Sequence, residues 1–108
     1  MKMVDVPTPV QRLLDAVNSG DTDAFLDAFA VNGRVDDWGR VFSGRDEIRR
    51  WSDAELIGKR ATLAPLGAVG DSESVTLTAT VGGDGFNGPS TFTFAIEGDL
   101  VTGMTIRE

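Results

Sequence analysis

Val75, Leu77, Ala79 and Val81 alternate with Thr76, Thr78 and Thr80, and shortly afterwards Phe92, Phe94 and Ile96 alternate with Thr91, Thr93 and Ala95. Successive side chains of a strand point to opposite faces, so each run predicts a strand with one apolar face and one threonine-rich face. An apolar sheet face has to be covered, and the helical periods that could cover it lie in the first half of the chain. Leu100 to Ile106 predicts a last strand after the Glu97-Gly98-Asp99 turn. Gly82-Gly83-Asp84-Gly85 reads as a hairpin turn and lacks the lysine and hydroxyl residue of a phosphate loop. Pro65 removes a backbone donor, so residues 61–69 predict an edge or bulged strand.

The first helix is expected at Thr8-Pro9-Val10-Gln11, which has a cap residue, a proline at the first helical position and Gln at the third. Val10, Leu13, Leu14 and Val17 share one helical face, and Gly20 offers a left-handed ending. Asp21 can cap a second, short helix carrying Phe25, Leu26 and Phe29. Asn32-Gly33 is a turn signal. After it, Val35 and Asp37 share one strand face while Arg34 and Asp36 share the other, and Trp38-Gly39 turns the chain. A further helix over 45–51 places Ile48 and Trp51 on one face, and Ser52-Asp53-Ala54-Glu55 allows a restart after it.

Chemistry is narrowed by what the 108 residues omit. With no Cys, His or Tyr, the chain has no disulfide, thiolate, imidazole base or phenolic donor. Catalysis would have to come from carboxylates, Arg, Lys, hydroxyls, Trp or backbone groups. Ten Lys and Arg against 17 Asp and Glu give a net charge of -7, which argues against a nucleic-acid partner. Asp36-Asp37 and Asp21-Thr22-Asp23 lack the ligand spacing of a hard-cation loop, so neither a metal nor another cofactor is expected. No stretch reaches the ~20 apolar residues of a membrane span. The opening MKMVDVPTPV lacks the apolar run of an export signal, and the expected compartment is the cytoplasm. A single domain over 1–108 is expected, with its structured core about 8–106.

The run from Val10 to Asp21 resembles the first helix and turn of the nuclear-transport-factor-2-like (NTF2-like) superfamily, particularly its ketosteroid-isomerase-like and SnoaL-like members. Val35-Asp36-Asp37-Trp38-Gly39 and Ser43-Gly44-Arg45-Asp46-Glu47-Ile48 resemble that group's pocket strand and third helix. Phe92-Thr93-Phe94, Gly98-Asp99-Leu100-Val101 and Met104 resemble its final hairpin. The resemblance implies an α+β fold of the cystatin-like type, a cone-shaped barrel of N-terminal helices packed against a curved, mostly antiparallel sheet. It also implies an apolar pocket and a homodimer packed through the sheet.

In ketosteroid isomerases the aspartate matching Asp37 moves a proton between substrate carbons. The parity shared with Val35 independently turns Asp37 toward the apolar side, although capping of the Trp38-Gly39 turn is the alternative role. Leu13 and Phe92 match the family's two oxyanion donors, and neither side chain can donate. Losing such donors costs about 2.7–4 kcal/mol each, so efficient isomerisation is not expected. The expected site is a pocket for a small, largely apolar molecule, bordered by Leu13, Trp38, Phe42, Phe92 and Met104, with Asp37 as its principal polar group. A SnoaL-like or isomerase-like enzyme using Asp37 as acid or base is one alternative; a non-catalytic, homodimeric interaction or assembly domain is the other. The Asp-Arg-Asp arrangement of epoxide-hydrolase-like chemistry has no recognisable counterpart in the sequence.

Overall fold

A computed structural model describes residues 6–107, so the Met1–Asp5 portion of the opening segment lies outside the described residues. The chain runs α1 (Thr8–Ser19), α2 (Thr22–Asp27), β1 (Phe29–Asp37), β2 (Arg40–Ser43) and α3 (Gly44–Glu55). A 3-10 turn at Ile57–Lys59 leads to β3 (Thr62–Gly70), β4 (Ser74–Gly82), β5 (Gly88–Glu97) and β6 (Leu100–Arg107). No helix among the described residues is long and apolar enough to cross a membrane.

The six strands form one sheet in the order β2-β1-β6-β5-β4-β3. Every neighbouring pair is antiparallel except β1 and β6, which run parallel. The parallel pair brings the chain's first strand beside its last. With β2 and β3 as its two edges the sheet is open, which corrects the expected barrel. β2 has four residues and β3 is bent at a register shift between Pro65 and Gly67, so neither edge pairs with the other.

The two-residue parity sets the core. Val75, Leu77, Ala79 and Val81 are buried with Phe92, Phe94 and Ile96, while Thr78, Thr80 and Ala95 are exposed. The register pairs Leu77 with Phe92 and Val75 with Phe94 across β4 and β5. Val10, Leu13, Leu14 and Val17 from α1 complete one continuous core with Phe25 and Phe29, whose rings meet edge to face at 5.2 Å. Each such aliphatic or aromatic side chain contributes about 1.5–3 kcal/mol when fully buried.

Several local expectations change. Thr8 lies inside α1 rather than capping it; Pro7 precedes the helix, and the Gln11 amide donates forward to Asp15 at 2.9 Å. Gly20 and Asp21 act as read: Gly20 ends α1 at φ 71°, and Asp21 accepts the Ala24 N–H at 3.0 Å. Asn32-Gly33 makes no turn. It lies within β1, where the register against β6 shifts between Phe29 and Arg34. A Cβ on Gly33 would come within 3.1–3.3 Å of Ala30, Phe29 and Val101, so this glycine permits close strand approach at a bulge. Helix α3 continues unbroken to Glu55, because buried Ser52 accepts the Ile57 N–H (3.4 Å) beyond the helix end instead of starting a new helix.

Asp71 closes the turn between β3 and β4 by accepting the N–H groups of Glu73 and Ser74 at 2.9 and 3.0 Å. Both bonds favour the ionised form and hold its pKa below the ordinary 3.8. A depressed folded-state pKa stabilises fully above the unfolded value and ceases to do so as pH falls through the folded one. Asp71→Ala is therefore expected to lower stability in urea melts at neutral pH. Its difference from the parent should shrink below pH 3.8; a difference independent of pH would reject the charged cap.

Candidate functional site

Strand β1 ends at Asp37, and Trp38-Gly39 returns the chain so that Arg40 pairs opposite Asp37. Both turn residues have positive φ, 55° and 91°, as the favoured two-residue hairpin turn requires. Asp36 points to the outer side, where it accepts the Gly39 N–H at 2.8 Å and the Arg107 guanidinium at 3.1 Å. The Arg107 bond, followed by the Gly39 N–H, holds the Asp36 pKa below its usual value. Turn capping thus belongs to Asp36, leaving Asp37 to the inner face.

Only one Asp37 oxygen is engaged. Oδ2 accepts the Trp51 indole N–H from α3 at 3.0 Å and the Arg40 guanidinium at 2.5 Å. Among the described residues no donor reaches Oδ1. Arg40 also grips Glu55 at the end of α3 with two bonds of 2.8 and 2.7 Å. That fork pushes the Glu55 pKa down and the Arg40 pKa up. The structure thus places one guanidinium between two carboxylates, Asp37 and Glu55. Phe42 packs against Trp51 at 6.0 Å between ring centres, with the Arg40 guanidinium 5.9 Å above its own ring.

Asp37 lies at the edge of a cavity of about 210 Å³ between the C-terminal part of α3 and the ends of β4, β5 and β6. Its inner wall includes Trp51, Leu56, Leu63, Val81, Phe92 and Ile106. Trp38 and Phe86, 55% and 59% exposed, stand at its rim. Polar chemistry enters through Asp37, Glu55, Lys59 and Ser90. No group of three or more His, Cys, Asp or Glu side chains among the described residues is arranged to hold a metal ion.

Of the residues expected to border the pocket, Asp37, Trp38 and Phe92 line this cavity; Leu13, Phe42 and Met104 do not. The sheet register explains Met104. Asp37, Ile106 and Phe92 form one cross-strand row, whereas Met104 lies a row deeper with Val35 and Phe94, in filled core. Leu13 is fully buried on α1, which packs on β3 and β6 away from the cavity. Phe42 backs Trp51 from outside. Sequence reading missed Ser90, Phe86, Lys59 and Glu55. Ser90 had a signal, since it shares the inward parity of Phe92 two residues on; Gly88-Pro89 obscured it.

A family model for the SnoaL-like domain matches residues 10–104. The chain is a SnoaL-like domain. No curated protein matches it significantly. Among solved structures, this domain is similar to a candidate polyketide cyclase from Sinorhizobium meliloti, with 28% identity and a TM-score of 0.86 over 95% of this chain and 96% of that one. A protein from Catenulispora acidiphila with a ketosteroid-isomerase-like fold, solved with trimethylamine, matches at 22% identity and a TM-score of 0.81, covering 96% of this chain and 87% of that one. The Anabaena orange carotenoid protein, solved with canthaxanthin, matches at 17% identity and a TM-score of 0.85; the match covers 99% of this chain but 38% of that protein. The last two likenesses establish a shared fold alone.

Trp38 supplies a direct test of whether the rim serves stability or a ligand. A non-glycine residue at positive φ is costly, and Asn is the favoured occupant of this turn position. Trp38→Asn is expected to stabilise the SnoaL-like domain by about 1 kcal/mol, raising Tm by about 4 °C. A fall in Tm would mean that the indole packs for stability.

Proposed function

We propose that this SnoaL-like domain binds a small, largely apolar molecule in the cavity beside Asp37, with the Asp37 carboxylate as its principal polar contact. The carrying observation is the division of labour within that carboxylate: Oδ2 is fixed by Trp51 and Arg40, while Oδ1 is left to accept a bond from a ligand. A prefixed acceptor in an aromatic wall gives orientation at little entropic cost. At about 210 Å³ the cavity is smaller than the ~300–1,000 Å³ that houses drug-sized ligands, which favours a molecule of one or two rings. The trimethylamine and canthaxanthin complexes make small-molecule binding familiar for this fold, though not for this sequence.

Both tryptophans of the chain, Trp38 and Trp51, line the cavity, so intrinsic fluorescence is a local reporter. Titration with 2-naphthol is expected to change tryptophan emission in a saturable way and to raise Tm. No saturation and no thermal shift at millimolar probe would reject this reading.

The second reading is proton transfer, favoured by the unengaged Oδ1 lone pairs and by the likeness to the polyketide cyclase candidate. Leu13 and Phe92 supply no oxyanion donor, so any such reaction has to stabilise developing charge by other groups. Homodimerisation is proposed through the outer sheet face, where Thr76, Thr78, Thr80, Thr91, Thr93 and Ala95 present no charge to a second copy. Light scattering is expected to give twice the 11.5 kDa chain mass. A mass of one chain at micromolar concentration would exclude the dimer.

A further inference from the structure

Ser90 and Ser52 are the two buried polar residues among the described ones. They are not alike. Ser52 bonds the Ile57 N–H and serves the end of α3. The Ser90 side chain, 4% exposed, lies on the inner face of β5 and lines the cavity, and its hydroxyl has no hydrogen-bond partner among the described residues. The hydroxyl is not sealed in the core: it belongs to the cavity lining, where a polar group of a ligand can donate to it or accept from it. On β4 its cross-strand partner is Ala79, and the next inward residue of β5 is Phe92. An alanine would fill the same place without a polar atom to satisfy.

The sheet register fixes where this hydroxyl sits relative to Asp37. Asp37 pairs with Ile106, and Ile106 with Phe92, so Asp37 and Phe92 share a row two strands apart. Ser90 lies two residues beyond Phe92 on the same face. Two strand spacings across and two residues along separate the Asp37 and Ser90 Cα positions by roughly 12 Å. The two groups therefore stand well apart on the wall of one cavity.

We propose that Ser90 is a second ligand anchor, and that the natural ligand is a small apolar ring body with polar groups at both ends: a donor toward Asp37 Oδ1 and a hydroxyl or carbonyl oxygen toward the Ser90 hydroxyl. This deepens the cavity-binding reading and rests on it. It assigns specificity to the distance between two polar groups, with the apolar walls in between.

The test uses 2-naphthol and 2,6-dihydroxynaphthalene, which share a ring body and differ in the second hydroxyl. Tryptophan fluorescence titration of the full chain is expected to show the diol binding about fivefold more tightly, as one further neutral hydrogen bond gives. In Ser90→Ala that preference falls to parity, while 2-naphthol affinity stays as in the parent. The ligand-free Ser90→Ala protein keeps its Tm, because the hydroxyl faces the cavity and the substitution leaves the strand backbone unchanged. Equal binding of the two probes by the parent, or a diol preference surviving in Ser90→Ala, overturns the second anchor and leaves the cavity reading standing. A fall in Tm beyond about 5 °C assigns Ser90 to the fold and overturns it too. Binding of neither probe overturns the cavity reading, and the second anchor with it.

Discussion

Leu77→Ala is expected to destabilise the domain by about 2–5 kcal/mol, the range for truncating a large side chain in a packed core. Leu77 is completely buried and faces Phe92 across β4 and β5. The adjacent Thr78 points to the outer face and is exposed, so Thr78→Ala should change stability by less than about 1 kcal/mol. The contrast between neighbours isolates the register from the strand, since both substitutions end in alanine on the same backbone. Against a total stability of about 5–15 kcal/mol, the larger loss is enough to leave part of the population unfolded at 37 °C. Urea melts decide it. If Thr78→Ala lost more than Leu77→Ala, the strand would have to be turned over, because a shift of one residue exchanges every side chain between faces.

That register was legible in the sequence because it is a local property: a period of two is written in consecutive residues. Gly20 and Asp21 were legible for the same reason, each acting within a few residues of itself. What escaped was set by distant partners. Asn32-Gly33 carries a hairpin signal, but β6 lies alongside, and close packing against Val101 makes Gly33 part of a bulged strand. The parallel pairing of β1 with β6 joins the first strand to the last and leaves no local trace. Pro65 was readable as an edge residue, since its missing N–H bears directly on whether a strand can be central.

The site divides in the same way. Parity with Val35 brought Asp37 to the inner face, and Phe92 followed from the β5 alternation. Leu13 and Met104 have equally apolar faces, but depth along a helix or strand decides between cavity wall and filled core, and parity carries no depth. Arg40 and Glu55 lie on β2 and α3, 15 residues apart, and converge only through the β1–β2 turn. The helical period placed Trp51 on the inward face with Ile48, but the task of its indole N–H, holding Oδ2 of Asp37, depends on a strand 14 residues away.

Asp37→Asn is expected to weaken 2-naphthol binding about tenfold while leaving the fold intact. The substitution keeps one oxygen to accept the Trp51 N–H, but puts an NH2, which donates and cannot accept, where Oδ1 faced the ligand's donor. Arg40 retains both bonds to Glu55, so the guanidinium is not abandoned. With Arg40 about half exposed, its contact with Asp37 is screened by solvent, and losing it should leave stability close to that of the parent. Two alternatives give different patterns. If Asp37 transfers protons, the asparagine variant loses turnover of a substrate by about 10²–10⁴-fold, well beyond its loss of affinity, because the amide has no basic lone pair at neutral pH. If Asp37 serves only the Arg40 and Trp51 contacts, the 2-naphthol Kd does not move. Parallel melts and fluorescence titrations separate these outcomes, and an unchanged Kd would remove Asp37 from the ligand site altogether.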